Sequence, residues 1–153
     1  MVVSFFGHSS LSPQEEIIIE EKLLKVLEKE LANVDEIKFH LGGYGCFNKI
    51  ALKCCKKYAN KFKNAKIYYI TPYISNEHRE RYAWWFEETD YSIYPELERV
   101  PLKFCITKRN EWMINKADLI IIYVTRPASN SAKIFEKIKR SKKRFINLGN
   151  YNG

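Results

Sequence analysis

Ile37-Lys38-Phe39-His40-Leu41-Gly42-Gly43-Tyr44-Gly45-Cys46-Phe47-Asn48 is a short apolar run that ends in a glycine cluster and passes at once into residues of helical spacing. The run is too short for a helix and the glycines close it, so Ile37 to Leu41 reads as a strand. Phe47, Ala51, Cys54, Tyr58 and Phe62 then recur as one buried face of a helix. Strand, glycine turn and helix in this order belong to a fold that lays parallel strands side by side.

The pattern repeats outward in both directions. Val2 to Phe6 is continuously apolar and stops at Gly7, as a parallel strand buried on both faces does. Ser12-Pro13-Gln14-Glu15 combines an N-cap serine, a proline at the first helical position and a glutamate placed to complete a capping box. The helix that starts there carries Ile17, Leu24, Leu27 and Leu31 as its expected buried stripe. Lys66 to Ile70 makes a third strand, ended by Thr71-Pro72 because proline removes a donor and restricts the residue before it.

Residues 73–103 are irregular, with one short helix expected around Glu77 to Phe86. So long an excursion inside a small domain is either functional or packed as its own unit, and it stands as a candidate lid. A helix over Phe104 to Lys116, a strand at Leu119 to Val124, a basic helix over Ser131 to Arg140 and a strand at Arg144 to Leu148 complete the chain. The reading is a single α/β domain over 1–153, with five parallel strands and helices on both faces.

The 153 residues, 46% apolar and 29% charged, suit one folded domain and exclude a disordered chain. Lys and Arg number 26 against 18 Asp and Glu, and the net charge of +8 points to an anionic partner: nucleotide, nucleic acid or acidic surface. Cys46, Cys54, Cys55 and Cys105 lack the paired spacing of a zinc site or a disulfide framework, which implies reduced thiols and a cytoplasmic protein with no metal and no resident cofactor. Leu119 to Val124 is far too short to span a membrane, and no leader pattern precedes Val2, so no membrane partner is expected.

Ligands of open parallel sheets bind beyond the carboxyl ends of the strands, where strand order reverses. The loops at that edge are Gly7-His8-Ser9-Ser10, Gly42-Gly43-Tyr44-Gly45 and Thr125-Arg126. Glycines ahead of a helix let backbone approach a phosphate at the helix N-terminus, and the same residues also serve a plain tight turn. Neither the P-loop spacing nor the dinucleotide fingerprint is present. His8 suits an acid, a base or a phosphate donor, or a loop histidine satisfied by backbone. Arg109 offers a planar fork for phosphate and Asn110 an amide for a ribose or base edge, unless both lie on an ordinary surface helix. Ser129, Asn130 and Ser131 can cap the helix that follows or receive a phosphate at its start, and capping is the simpler use. Tyr44 alone among the aromatics sits within the glycine turn, where it could stack on a ring.

Val3-Ser4-Phe5-Phe6-Gly7-His8, Leu41-Gly42-Gly43-Tyr44-Gly45-Cys46-Phe47-Asn48, Ile70-Thr71-Pro72-Tyr73, Lys108-Arg109-Asn110-Glu111-Trp112-Met113 and Ala117-Asp118-Leu119-Ile120 occur in an order that resembles small phage-associated and bacterial proteins of the SLOG superfamily. The resemblance spans nearly the whole chain. It implies a Rossmann-like three-layer sandwich that binds nucleotides or nucleotide-derived signals, including NAD-derived molecules sensed in antiphage defence, and that associates into homo-oligomers.

The superfamily also holds phosphoribohydrolases, whose motif runs Pro-Gly-Gly-x-Gly-Thr and reaches a catalytic glutamate. Leu41, Cys46 and Lys49 stand at the positions of the proline, the threonine and the glutamate, so the carboxylate that would steady an oxocarbenium ion is missing. The leading expectation is therefore a binder, with Gly7, His8, Gly42, Gly43, Tyr44, Gly45, Asn48, Arg109, Asn110, Thr125 and Arg126 around its ligand, acting as a sponge for a signalling nucleotide. An N-glycosidase drawing a carboxylate from Glu87 or Glu88 is the alternative. A nucleic-acid surface built on Lys49, Lys53 and Lys57, or on the basic residues from Lys137 to Arg144, ranks third.

Overall fold

β1 (Val2–Gly7) occupies the middle of a parallel sheet, with β2 (Ile37–Leu41) on one side and β5 (Leu119–Tyr123) on the other. In register, Val3 faces Phe39 on β2 and Leu119 on β5. A computed structural model describes all of residues 1–153. β3 (Ala65–Ile70), β4 (Tyr91–Ile93) and β6 (Phe145–Asn147) extend the sheet to the order β4-β3-β2-β1-β5-β6. The chain thus builds outward from β1 on one side, then returns and builds on the other, so strand order reverses between β1 and β5.

The sheet has six strands where five are expected. The additional one, β4, lies in the irregular 73–103 segment and pairs Tyr91, Ser92 and Ile93 with Tyr68, Tyr69 and Ile70. Three residues at an exposed edge carry no alternation that periodicity could register. In the same segment one helix becomes two short ones, α3 (Asn76–Arg81) and α4 (Ala83–Glu88), broken at Tyr82.

α1 (Pro13–Glu30) and α2 (Gly45–Phe62) cover one face of the sheet together with Trp85 of α4, and α5 (Cys105–Lys116) and α6 (Asn130–Ser141) cover the other. The capping box of α1 forms as read: Ser12 Oγ accepts from Glu15 N–H and Glu15 Oε1 accepts from Ser12 N–H. Its buried stripe differs from the expected one. Ile19, Leu23, Leu27 and Leu31 are buried, Leu24 is half-buried and Ile17 is exposed, so the buried face of α1 is the i, i+4 line through Ile19. Phe62, at the last position of α2, is likewise exposed.

Much of the basic surface is neutralised across helices. Lys53 and Lys57 both pair with Glu20, Lys61 with Glu28, Lys137 with Glu111 and Arg144 with Glu30. No helix is long and apolar enough to cross a membrane.

Candidate functional site

A cavity of about 740 Å³ opens at the carboxyl end of β1, beside the reversal of strand order. Its walls come from the β1–α1 loop, the glycine turn before α2, the first half of α5, and the β5–α6 loop with the start of α6. Of the residues expected there, Gly7, His8, Gly42, Tyr44, Asn48, Arg109, Asn110 and Arg126 line it, whereas Gly43, Gly45 and Thr125 do not. No residue of 73–103 reaches it.

Gly43 and Gly45 shape the turn without facing the cavity. Gly43 has φ +75°, and a Cβ there would lie 2.3 Å from the Tyr69 ring. Gly45 has φ +87°, and a Cβ would meet Ser9 Cα at 2.6 Å. The close approach to Ser9 has a purpose: Cys46 N–H donates to Ser9 O at 2.9 Å and Phe47 N–H to His8 O at 3.3 Å. Two of the N–H groups that a helix start would offer to a phosphate are therefore engaged by the β1–α1 loop.

Arg109 projects from α5 under the turn and is 4% exposed. Nη1 donates to Gly42 O at 2.7 Å and to Ile70 O at 2.9 Å, and Nε donates to Asn110 Oδ1 at 2.9 Å. It is not on a surface helix face; it clamps the ends of β2 and β3 while bordering the cavity. Burial pulls its pKa down to about 10, and the neighbours that act the other way are tyrosines, with no carboxylate among them. A buried guanidinium without an anion is costly unless something anionic binds beside it.

His8 is 2% exposed, with its ring edge-on to Tyr123 at a centroid distance of 5.8 Å. Thr125 N–H donates to its Nε2 at 3.0 Å. A backbone N–H can only donate, so Nε2 is unprotonated and the proton of the neutral ring sits on Nδ1. Burial, then the Arg126 charge, lower its pKa, with Glu15 acting weakly in the opposite sense. In this arrangement Nδ1 is the ring's donor, and burial favours the neutral form. Thr125, expected as a contact, instead holds His8 in this state.

The lining contains Arg109, Arg126, Lys133 and Lys137 and no Asp or Glu. Glu87 is exposed and Glu88 pairs with Lys56, both away from the cavity. Asn48 Nδ2 donates to Tyr44 O at 3.2 Å, which leaves its buried Oδ1 without a donor. Ser129 caps α6, its Oγ accepting from Ala132 N–H at 3.1 Å. Sequence reasoning did not single out Ile106, Thr107, Lys133 or Ile134 as lining residues. Lys133 and Lys137 stand four apart on α6 and so share a face, which is the one signal the sequence offered.

No family model matches the sequence, and no curated protein matches it significantly. Solved structures do. DNA processing protein A (DprA) from Streptococcus pneumoniae superposes with a TM-score of 0.64 at 18% identity, covering 95% of this chain and 49% of that one. TM1055, a structural-genomics target, gives 0.56 at 14% identity over 94% of this chain and 71% of its own. The Moco carrier protein of Chlamydomonas rheinhardtii gives 0.51 at 10% identity over 97% and 76%. At these identities the likeness shows the fold alone, a Rossmann-like α/β sandwich of the kind the resemblance implied. The chain spans about half the length of DprA.

Proposed function

We propose that the protein binds a phosphorylated nucleotide or nucleotide-derived anion in this cavity and holds it without cleaving it. The observation that carries the reading is the charge census of the lining: four cationic side chains, one of them the buried Arg109 with no anionic partner, and no carboxylate. A low-dielectric cleft walled by one sign of charge concentrates ligands of the other sign. Tyr44 and Ile106, both exposed at the cavity, offer apolar surface to a base or sugar face.

Glycosidic cleavage is the weaker reading, since it needs a carboxylate within reach of the anomeric carbon and Lys49 holds the family's glutamate position. Retention without turnover amounts to sequestration, the use that a phage-encoded sponge would make of a host signalling nucleotide. A homo-oligomer remains part of this proposal. Binding of nucleic acid is the second reading, favoured by the likeness to a DNA processing protein and by the net charge of +8.

The test is calorimetric titration with ADP, ADP-ribose, NAD and a single-stranded oligonucleotide at low salt, followed by mass analysis of what denaturation releases. Saturable uptake of one of the small molecules, released intact, is expected. Recovery of a cleaved product would establish the enzyme, and uptake of the oligonucleotide alone would establish the nucleic-acid reading.

A further inference from the structure

Resting on that anion-binding reading, we propose that the anionic group is held at the N-terminus of α6, between Ser131 and His8, and not on the glycine turn of α2. The two helix starts at this cavity differ in what they have left to offer. At α2, Cys46 and Phe47 N–H already serve Ser9 and His8 carbonyls. At α6, the cap Ser129 serves Ala132 N–H, and the N–H groups of Asn130 and Ser131 have no partner. α6 runs for 12 residues, long enough for its peptide dipoles to align toward a bound charge.

Two buried side chains point to a ligand independently of the helix. Ser131 is 5% exposed, lines the cavity and makes no side-chain hydrogen bond. His8 is 2% exposed, and its protonated Nδ1 likewise has no partner in the protein. Both side chains are buried as residues yet neither donor atom is sealed from the cavity they line, so each stays open to an acceptor that enters it. His8 belongs to this wall because Thr125, which fixes its tautomer, lies in the β5–α6 loop. Arg126 of the same loop and Lys133 in the first turn of α6 supply the charge. The group that fits at this helix start is a phosphoryl or diphosphate oxygen, because the free Asn130 and Ser131 N–H groups, His8 Nδ1 and the Arg126 and Lys133 cations can only donate and the Ser131 hydroxyl is able to.

The test is a titration of the full-length, ¹⁵N-labelled chain with inorganic pyrophosphate, and separately with ADP, followed by amide and histidine-ring NMR. Saturable shifts at Asn130 and Ser131, with the His8 proton on Nδ1 throughout, are expected, while Gly45, Cys46 and Phe47 stay still. His8→Gln, whose Oε1 can replace Nε2 as the acceptor for Thr125 but which puts no donor at Nδ1, should weaken binding about tenfold. His8→Asn, which restores an amide donor at that place, should recover most of the loss. Shifts centred on Gly45 to Phe47, or His8→Gln binding as tightly as the native chain, would overturn the placement while leaving the anion-binding reading intact. If neither probe moves any amide, the anion-binding reading and the placement both fall.

Discussion

Gly43→Ala should destabilise the protein chiefly through one collision, and that collision can be isolated. The residue sits at φ +75°, where an L side chain costs about 1–2 kcal/mol in backbone strain. The new Cβ would lie 2.3 Å from Tyr69 Cε1 and 2.9 Å from Cδ1. Tyr69 cannot retreat: it is 1% exposed, its hydroxyl is 3.0 Å from His78 Nε2, and it packs against Trp85 at 6.0 Å and Phe86 at 4.9 Å. Overpacking of this kind costs about 1–3 kcal/mol, so strain and collision together come to about 2–5 kcal/mol. For a domain of this size that corresponds to a fall in Tm of about 4–20 °C. Tyr69→Leu removes the struck ring atoms and leaves the backbone strain. In that background Gly43→Ala should therefore cost only the strain, about 1–2 kcal/mol, measured by urea denaturation of all four proteins in a double-mutant cycle. An equal cost in both backgrounds would show that the ring is not what requires the glycine, and a cost near zero in the native chain would refute the geometry.

Arg109→Met should cost about 2–3 kcal/mol in urea denaturation, because it strips the donor from the Gly42 and Ile70 carbonyls, and should also abolish ADP binding; native-like stability would refute the clamp. His40, stacked on Trp112 with Nδ1 unpartnered, has its pKa lowered from the usual 6.5 to about 4 by burial, then by Lys38. The folded state thus binds fewer protons than the unfolded one across that interval, so stability present above pH 6.5 is lost as pH falls toward 4, by about 3 kcal/mol. His40→Phe should flatten this slope in urea titrations at pH 7.5 and 4.5, and an unchanged slope would acquit His40. Ser12→Ala should cost about 1 kcal/mol by loss of the α1 cap, whereas Glu20→Gln, on partly solvated lysine pairs, should cost less than about 1 kcal/mol in the same assay.

The features that sequence alone determined are those set by neighbours along the chain. Val2 to Phe6 and Leu119 to Val124 announce themselves as strands because both faces are buried, and Ser12 to Glu15 announces a helix start because a capping box closes within four residues. The glycine turn and the edge of the sheet on which it lies are legible for the same reason. Tertiary structure decided whatever depends on residues far apart in the chain. β4 exists only because β3 offers an edge to pair with, and which of the apolar lines on α1 is buried is decided by the sheet and α2 that it packs on. Sequence offers Arg109 as a phosphate fork, and only the fold shows that the fork also holds the carbonyls of Gly42 and Ile70. The tautomer of His8 depends on a backbone N–H 117 residues away. Whether a helix start is free to take a phosphate depends on which carbonyls reach it first. At α2 those of Ser9 and His8 do, and at α6 none reach Asn130 or Ser131.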